Sequence, residues 1–201
     1  EQVHTYVQRG LQMLEAEEKN SEEKGVFIRL KGWYLLHKGN YQEAEQVLWE
    51  AMEIFRNCVS DREYFSMSIA ACQGYLGDLS RAKGDFEKAR EYYQAAIELG
   101  TGKVVTNGLG QFYSSMGQVL YLEKQYEEAD EYLEKAVSCL KSHGYYWGLE
   151  RALAYRAMLL WETGKQEEAK LCYEESWKIS HKIKNPTTIS ILKQVENYIN
   201  H

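Results

Sequence analysis

Proline is almost missing from this chain, with one in 201 residues, at position 186. Its ring removes a backbone donor and breaks helices, so its scarcity leaves long helical stretches free to form. No run of about 18 apolar residues occurs, which excludes a single-helix membrane span within these residues, and no membrane partner is expected. No charged segment followed by an apolar stretch opens the chain, so no secretory leader is expected within it. The cysteines, Cys58, Cys72, Cys139 and Cys172, form no CxxC pair and have no histidine at ligand spacing. They read as helix-packing thiols of a reducing compartment, and the expected location is cytoplasmic. Positive charge is in deficit, 24 Lys and Arg against 30 Asp and Glu, a net −6. Holding a nucleic-acid backbone needs clustered cations, so no nucleic acid is expected through this domain.

The marks of catalysis are also missing. His4, His37, His143, His181 and His201 are scattered, with no HExxH and no GxSxG elbow. Adjacent carboxylates such as Glu127 with Glu128 and Glu167 with Glu168 open predicted helices, where they favour the positive end of the helix dipole. As neighbours on an exposed turn they are not an acid–base pair. Gly100, Thr101 and Gly102 follow a helix rather than a strand and fit no phosphate-loop pattern. The expectation is a chain without enzymatic activity, metal or cofactor.

What is present is a repeat. The segments GNYQEAEQVLWEA, GDFEKAREYYQAA, KQYEEADEYLEKA and GKQEEAKLCYEES share an alanine, a bulky residue four on and a small one three further. The alanines, Ala44, Ala89, Ala129 and Ala169, are 45, 40 and 40 residues apart. Self-similarity at such a period marks a stack of supersecondary units. Hydrophobic residues make up 44% and charged residues 27%, enough for a core and a soluble surface. The apolar spacing predicts ten helices, at 2–19, 24–38, 41–57, 62–83, 86–99, 106–124, 126–142, 146–163, 166–184 and 187–200. Gly39, Gly84 and Gly164 punctuate three hairpins as helix stops. Asn40 and Asp85 are predicted caps for the helices that follow. The other hairpin turns at Lys124 and Gln125.

Close crossing of two helices requires small side chains, and Gly32, Gly77, Gly117 and Ala157 stand where the first helix of each hairpin meets its partner. Large residues follow the repeat alanines on the second helices: Leu48, Tyr93, Leu133 and Tyr173. Small ones come next, at Ala51, Ala96, Ala136 and Ser176. Tyr41, Phe86 and Tyr126 open the second helices, with Gln166 departing. This pattern resembles the tetratricopeptide repeat. The resemblance implies an all-α, right-handed solenoid of antiparallel hairpins over 1–201. Its parts would be a half-repeat cap at 1–25, repeats at 26–58, 62–100, 106–142 and 146–184, and a closing helix at 187–201. The family repeat is about 34 residues, and a proline commonly ends it. Here the period is longer, and Arg56, Thr101, Lys141 and His181 stand at the proline position. Longer repeats of this kind resemble those of bacterial regulators, including peptide-pheromone sensors.

In that family the first helix of each hairpin lines a concave groove, which implies a set of candidate partner-binding residues. The first helix supplies Arg29, Trp33 and Leu36, and the second Tyr75, Asp78 and Arg81. The third supplies Gln111, Ser114, Gln118 and Tyr121. The fourth supplies Arg151, Tyr155, Met158 and Trp161, and the terminal helix adds Gln194 and Tyr198. Aromatics and arginines anchor interfaces, and arginine pairs carboxylates. The resemblance therefore implies a non-catalytic module holding a protein or peptide segment, with carboxylates favoured in the partner. Trp33 and Trp161 read equally well as packing between repeats. The chaperone-tail clamp of some relatives uses Lys and Asn where this chain has Arg29, Trp33, Gly74 and Asp78, so that clamp is not expected. Pheromone sensors grip a peptide backbone with asparagines, and this set is nearly free of them. The second reading is a ligand- or peptide-sensing domain of a larger bacterial regulator, with the half-repeat at 1–19 as the edge of a longer array. A third is self-association through the end helices.

Overall fold

In the computed structural model the described residues are 2–15, 22–58, 62–101 and 107–199. Among them every regular element is a helix. Two compact units divide the chain, Glu1–Gly102 and Lys103–His201. The first holds α1 (Gln2–Glu15), α2 (Glu22–His37), α3 (Tyr41–Asn57), α4 (Arg62–Ala82) and α5 (Phe86–Gly100). The second holds α6 (Asn107–Leu122), α7 (Tyr126–Ser142), α8 (Leu149–Glu162), α9 (Gln166–Ile183) and α10 (Pro186–Ile199). The expected end of the first helix, at 16–19, and the joints expected near 59–61 and 102–106 lie outside the described residues.

In the first unit α2 pairs with α3 and α4 with α5, α3 lies on α4, and α1 lies on α2. In the second α6 pairs with α7 and α8 with α9, α7 lies on α8, and α10 packs against α8 and α9. The crossings follow from side-chain size. A β-carbon on Gly32 would fall 2.7 Å from Leu48, and one on Gly117 2.7 Å from Leu133 and 3.2 Å from the Ala129 carbonyl. Gly77 faces the Tyr93 ring, where a β-carbon would come within 2.5 Å. The four repeat alanines have no exposed surface. Leu48, Met52, Phe55, Leu76 and Leu79 form the centre of the first unit. Ala136, Leu140, Leu149, Leu153 and Ile179 do the same in the second. Leu192 and Val195 of α10 are buried.

All four hairpin turns share one backbone device. The N–H groups of Asn40, Asp85, Gln125 and Lys165 donate back to the carbonyls of Leu35, Ser80, Leu120 and Leu160, closing the helix before them. The residue ahead of each donor is left-handed: Gly39 (φ 79°), Gly84 (φ 80°), Gly164 (φ 82°) and, with a side chain, Lys124 (φ 61°). Two sequence expectations are corrected here. Asp85 caps α5 by accepting from the Lys88 N–H at 3.2 Å, but the Asn40 side chain makes no capping bond to α3. The eighth helix begins at Leu149 rather than 146, because Gly148 before it is left-handed (φ 93°).

Candidate functional site

Each unit gathers the predicted partner-binding residues on the first helices of its hairpins. In the first unit these are α2 and α4, which touch one another. Arg29 of α2 is half-buried and lies against Tyr75 of α4. Burial raises the Tyr75 phenol above its ordinary range, while the positive Arg29 opposes the shift and a hydrogen bond joins the two side chains. Trp33 is half-buried, with its ring 4.3 Å from that of His37, whose Nδ1 meets the Trp33 carbonyl at 2.9 Å. Leu36 is in the core. Asp78 accepts from the Tyr93 hydroxyl at 2.8 Å and from Arg81 at 3.2 Å, and Arg81 Nε also donates to that hydroxyl at 3.3 Å. Tyr93 is fully buried, and burial, followed by the adjacent Asp78 charge, pushes its phenol up. Asp78 and Arg81 thus anchor the buried ring that fills the Gly77 crossing. Their charges are matched within the hairpin.

In the second unit the corresponding helices are α6 and α8. Ser114 and Gln118 are buried and bonded to one another at 3.2 Å. Tyr121 is nearly buried, with its ring edge-on to Tyr155 at 5.9 Å. Its hydroxyl donates to Glu162 at 2.7 Å, and Tyr126 donates to the other oxygen of the same carboxylate at 2.5 Å. Accepting that bond, Glu162 raises the Tyr126 phenol. Gln111 bridges two elements: its Nε2 donates to the Trp147 carbonyl at 2.7 Å, and its Oε1 accepts from Arg151 at 3.1 Å. Met158 is buried, whereas Tyr155 and Trp161 are half-buried. Gln194 is exposed on α10.

Several groups that organise this unit were not visible beforehand. Glu150 is completely buried, yet it accepts from the Gly148 N–H at 2.6 Å and from the Asn185 amide at 2.9 Å. The Tyr145, Tyr146 and Trp147 side chains are exposed on the loop before α8. The sequence signal was Gly144 and Gly148 bracketing three aromatics.

All four cysteines are free thiols. Burial pushes Cys72 up to about 12, and the others also rise, with burial as the main cause. Protonated thiols are poor nucleophiles at neutral pH. Cys139 lines a shallow open depression of about 720 Å³ on α6 and α7 together with Tyr113, Glu134, Lys135 and His143. There the His143 Nδ1 lies 2.8 Å from the Cys139 carbonyl, so this nitrogen is engaged by the backbone.

This architecture is that of a helical-repeat protein, and its repeats have a family. Tetratricopeptide-repeat models match residues 31–57, 70–101 and 109–180. Across these segments the chain belongs to the tetratricopeptide-repeat family. No curated protein sequence matches it. Among solved structures it is similar to the Rap conjugation gene regulator of plasmid pLS20 in complex with the Phr* peptide. There the TM-score is 0.80 at 15% identity, covering 94% of this chain and 51% of that one. It is also similar to aspartyl phosphate phosphatase F from Bacillus subtilis, with TM-score 0.77, 16% identity, and 90% and 46% of the two chains covered. A third is BtubC from P. vanneervenii, with TM-score 0.75, 13% identity, and 98% and 82% covered. The chain thus spans about half the length of the first two, at 51% and 46%. No helix among the described residues is long and apolar enough to cross a membrane.

Proposed function

We propose that this chain is a non-catalytic module that binds protein or peptide segments on the first helices of the hairpins within each unit. The observation that carries the reading is the make-up of those helices. They present half-buried aromatics and arginines (Arg29, Trp33, Arg151, Tyr155 and Trp161), the residue types that dominate binding energy at interfaces. The likeness of fold to a regulator held with a peptide supports it. A segment with carboxylates suits Arg29 and Arg151, which make no ion pair among the described residues. Arg81 is a weaker candidate contact because Asp78 already holds it. The proposed location is cytoplasmic.

The test is capture of a partner from the source cell by immobilised protein, intact or carrying Trp33→Ala with Tyr155→Ala. Loss of a partner held by the intact chain, with an unchanged helical circular-dichroism spectrum, is the expected result. Retention of that partner by the double variant refutes the assignment of these faces.

A second reading is supported by the same fold likeness: a peptide- or ligand-sensing domain of a larger regulator. A DNA-binding or nucleotide-binding segment in the full gene would favour it over a free-standing adaptor.

A further inference from the structure

The loop between α7 and α8 combines a fixed backbone with exposed aromatic side chains. Tyr145, Tyr146 and Trp147 are 42%, 63% and 63% exposed. Their backbone is held at several points. The Tyr145 N–H returns to the Leu140 carbonyl at 2.9 Å, and the Tyr145 ring stacks on His143. The Trp147 carbonyl accepts from Gln111 at 2.7 Å, and the Gly148 N–H is held at 2.6 Å by the fully buried Glu150. Gln111 packs so closely over Gly148 that a β-carbon there would overlap its amide. Burying a carboxylate is costly, so its use here as a backbone anchor marks a loop whose shape is specified.

Beside this loop stands an uncompensated cation. Arg151, one turn after Trp147, is oriented by its bond to Gln111 Oε1 and makes no ion pair among the described residues. Arg156, on the same helix, is matched by Asp130 and Glu134. Aromatics on a held backbone beside an oriented guanidinium favour a segment that brings a carboxylate next to an apolar side chain.

We propose that Tyr146, Trp147 and Arg151 form a docking surface for a polypeptide segment that presents a carboxylate next to an apolar side chain. This rests on the reading of the chain as a polypeptide-binding module and names the partner's chemistry at one place on it. Charge selects this occupant over the others. A second copy docked about a two-fold axis would bring Arg151 towards its own equivalent. An anionic bilayer is held by clusters of several Lys and Arg, and Arg151 alone is not such a cluster.

The test uses the full chain labelled with fluorotryptophan, whose resonances report on Trp33, Trp49, Trp147, Trp161 and Trp177 separately. The probes are acetylated octapeptides alternating Glu with Leu, and a matched set with Gln in place of Glu. The Glu peptide should shift the Trp147 resonance with roughly tenfold higher affinity than the Gln peptide. Arg151→Gln should remove that preference, and Tyr146→Ala should weaken both peptides. The Trp49 resonance and the helical spectrum should be unchanged in both variants. An unmoved Trp147, or equal affinity for the two peptides, overturns the proposal. Shifts confined to Trp33 and Trp161 overturn it while leaving the wider binding reading intact. A Trp147 shift caused only by phosphatidylserine vesicles, or only by raising the concentration of the chain itself, assigns the loop to lipid or to self-association and overturns it as well.

Discussion

The two units use the same repeat positions to different ends. On α4 of the first, Asp78 and Arg81 turn inward on the Tyr93 hydroxyl, so polar side chains stabilise a single hairpin. The two hairpins of the first unit are also tied to one another, Lys83 to Glu45 at 2.7 Å and Arg29 to Tyr75. In the second unit other pairs make the ties between hairpins. Gln111 reaches Arg151 and the Trp147 carbonyl, Tyr121 and Tyr126 share Glu162, Arg156 reaches Asp130, and Lys141 reaches Glu175. The apolar rules that build each hairpin are common to both, whereas the polar residues decide how neighbouring hairpins are tied. A repeat pattern therefore specifies the hairpin more fully than the stack.

The largest effect should come from breaking what the units share. Gly117→Leu or Gly77→Leu overpacks a crossing and should lower stability by about 1–3 kcal/mol, read as a lower denaturation midpoint. An unchanged midpoint would mean that these glycines do not set the approach of the helices.

Alkaline pH should separate the units. Burial raises Cys72 to about 12 and also lifts Tyr93, both in the first unit. In an unfolded chain thiols and phenols ionise at about 8.5 and 10. The folded state holds these protons more tightly, so stability is full below about pH 8 and falls as pH rises past about 9. Amide exchange should show the first unit loosening before the second, and Cys72→Ala should flatten the response. Equal loosening of both units would count against the assignment.

Smaller changes test the polar ties and turns. Tyr93→Phe removes the hydroxyl between Asp78 and Arg81 and should cost about 0.5–1.5 kcal/mol. Asp85→Ala should cost about 1 kcal/mol, whereas Asn40→Ala, which removes no capping bond, should cost only a few tenths. Lys124→Gly relieves a left-handed side-chain position and should stabilise the second unit by up to about 1 kcal/mol. Chemical denaturation of the single variants orders all of these.

These contrasts show what the amino-acid order carries and what it does not. Gly32, Gly77 and Gly117 were legible as crossings because glycine recurs at one place in the period and a large residue answers it on the next helix. The boundaries of α3, α5 and α7 were legible for the same reason. The loop before α8 was not. Tyr146 and Trp147 continue an apolar spacing that reads as helix, and the left-handed conformation of Gly148 leaves no mark in composition. Glu150 was missed because a glutamate in a first turn is ordinarily solvated. Asn40 and Asp85 look alike as caps, and only the side-chain geometry distinguishes them. The candidate binding residues were placed on their helices by the repeat, but Arg81, Gln118 and Met158 proved to be held or buried by neighbours that periodicity does not reveal.

Hydroxyl-radical footprinting of the complex with a partner captured from the source cell tests the central claim most directly. Recognition by the first helices of the hairpins predicts protection of Trp33, Tyr155 and Trp161, with Trp49 on α3 and Leu171 on α9 oxidised at their free rates. Protection of Trp49 and Leu171, with Trp33, Tyr155 and Trp161 unchanged, would contradict it.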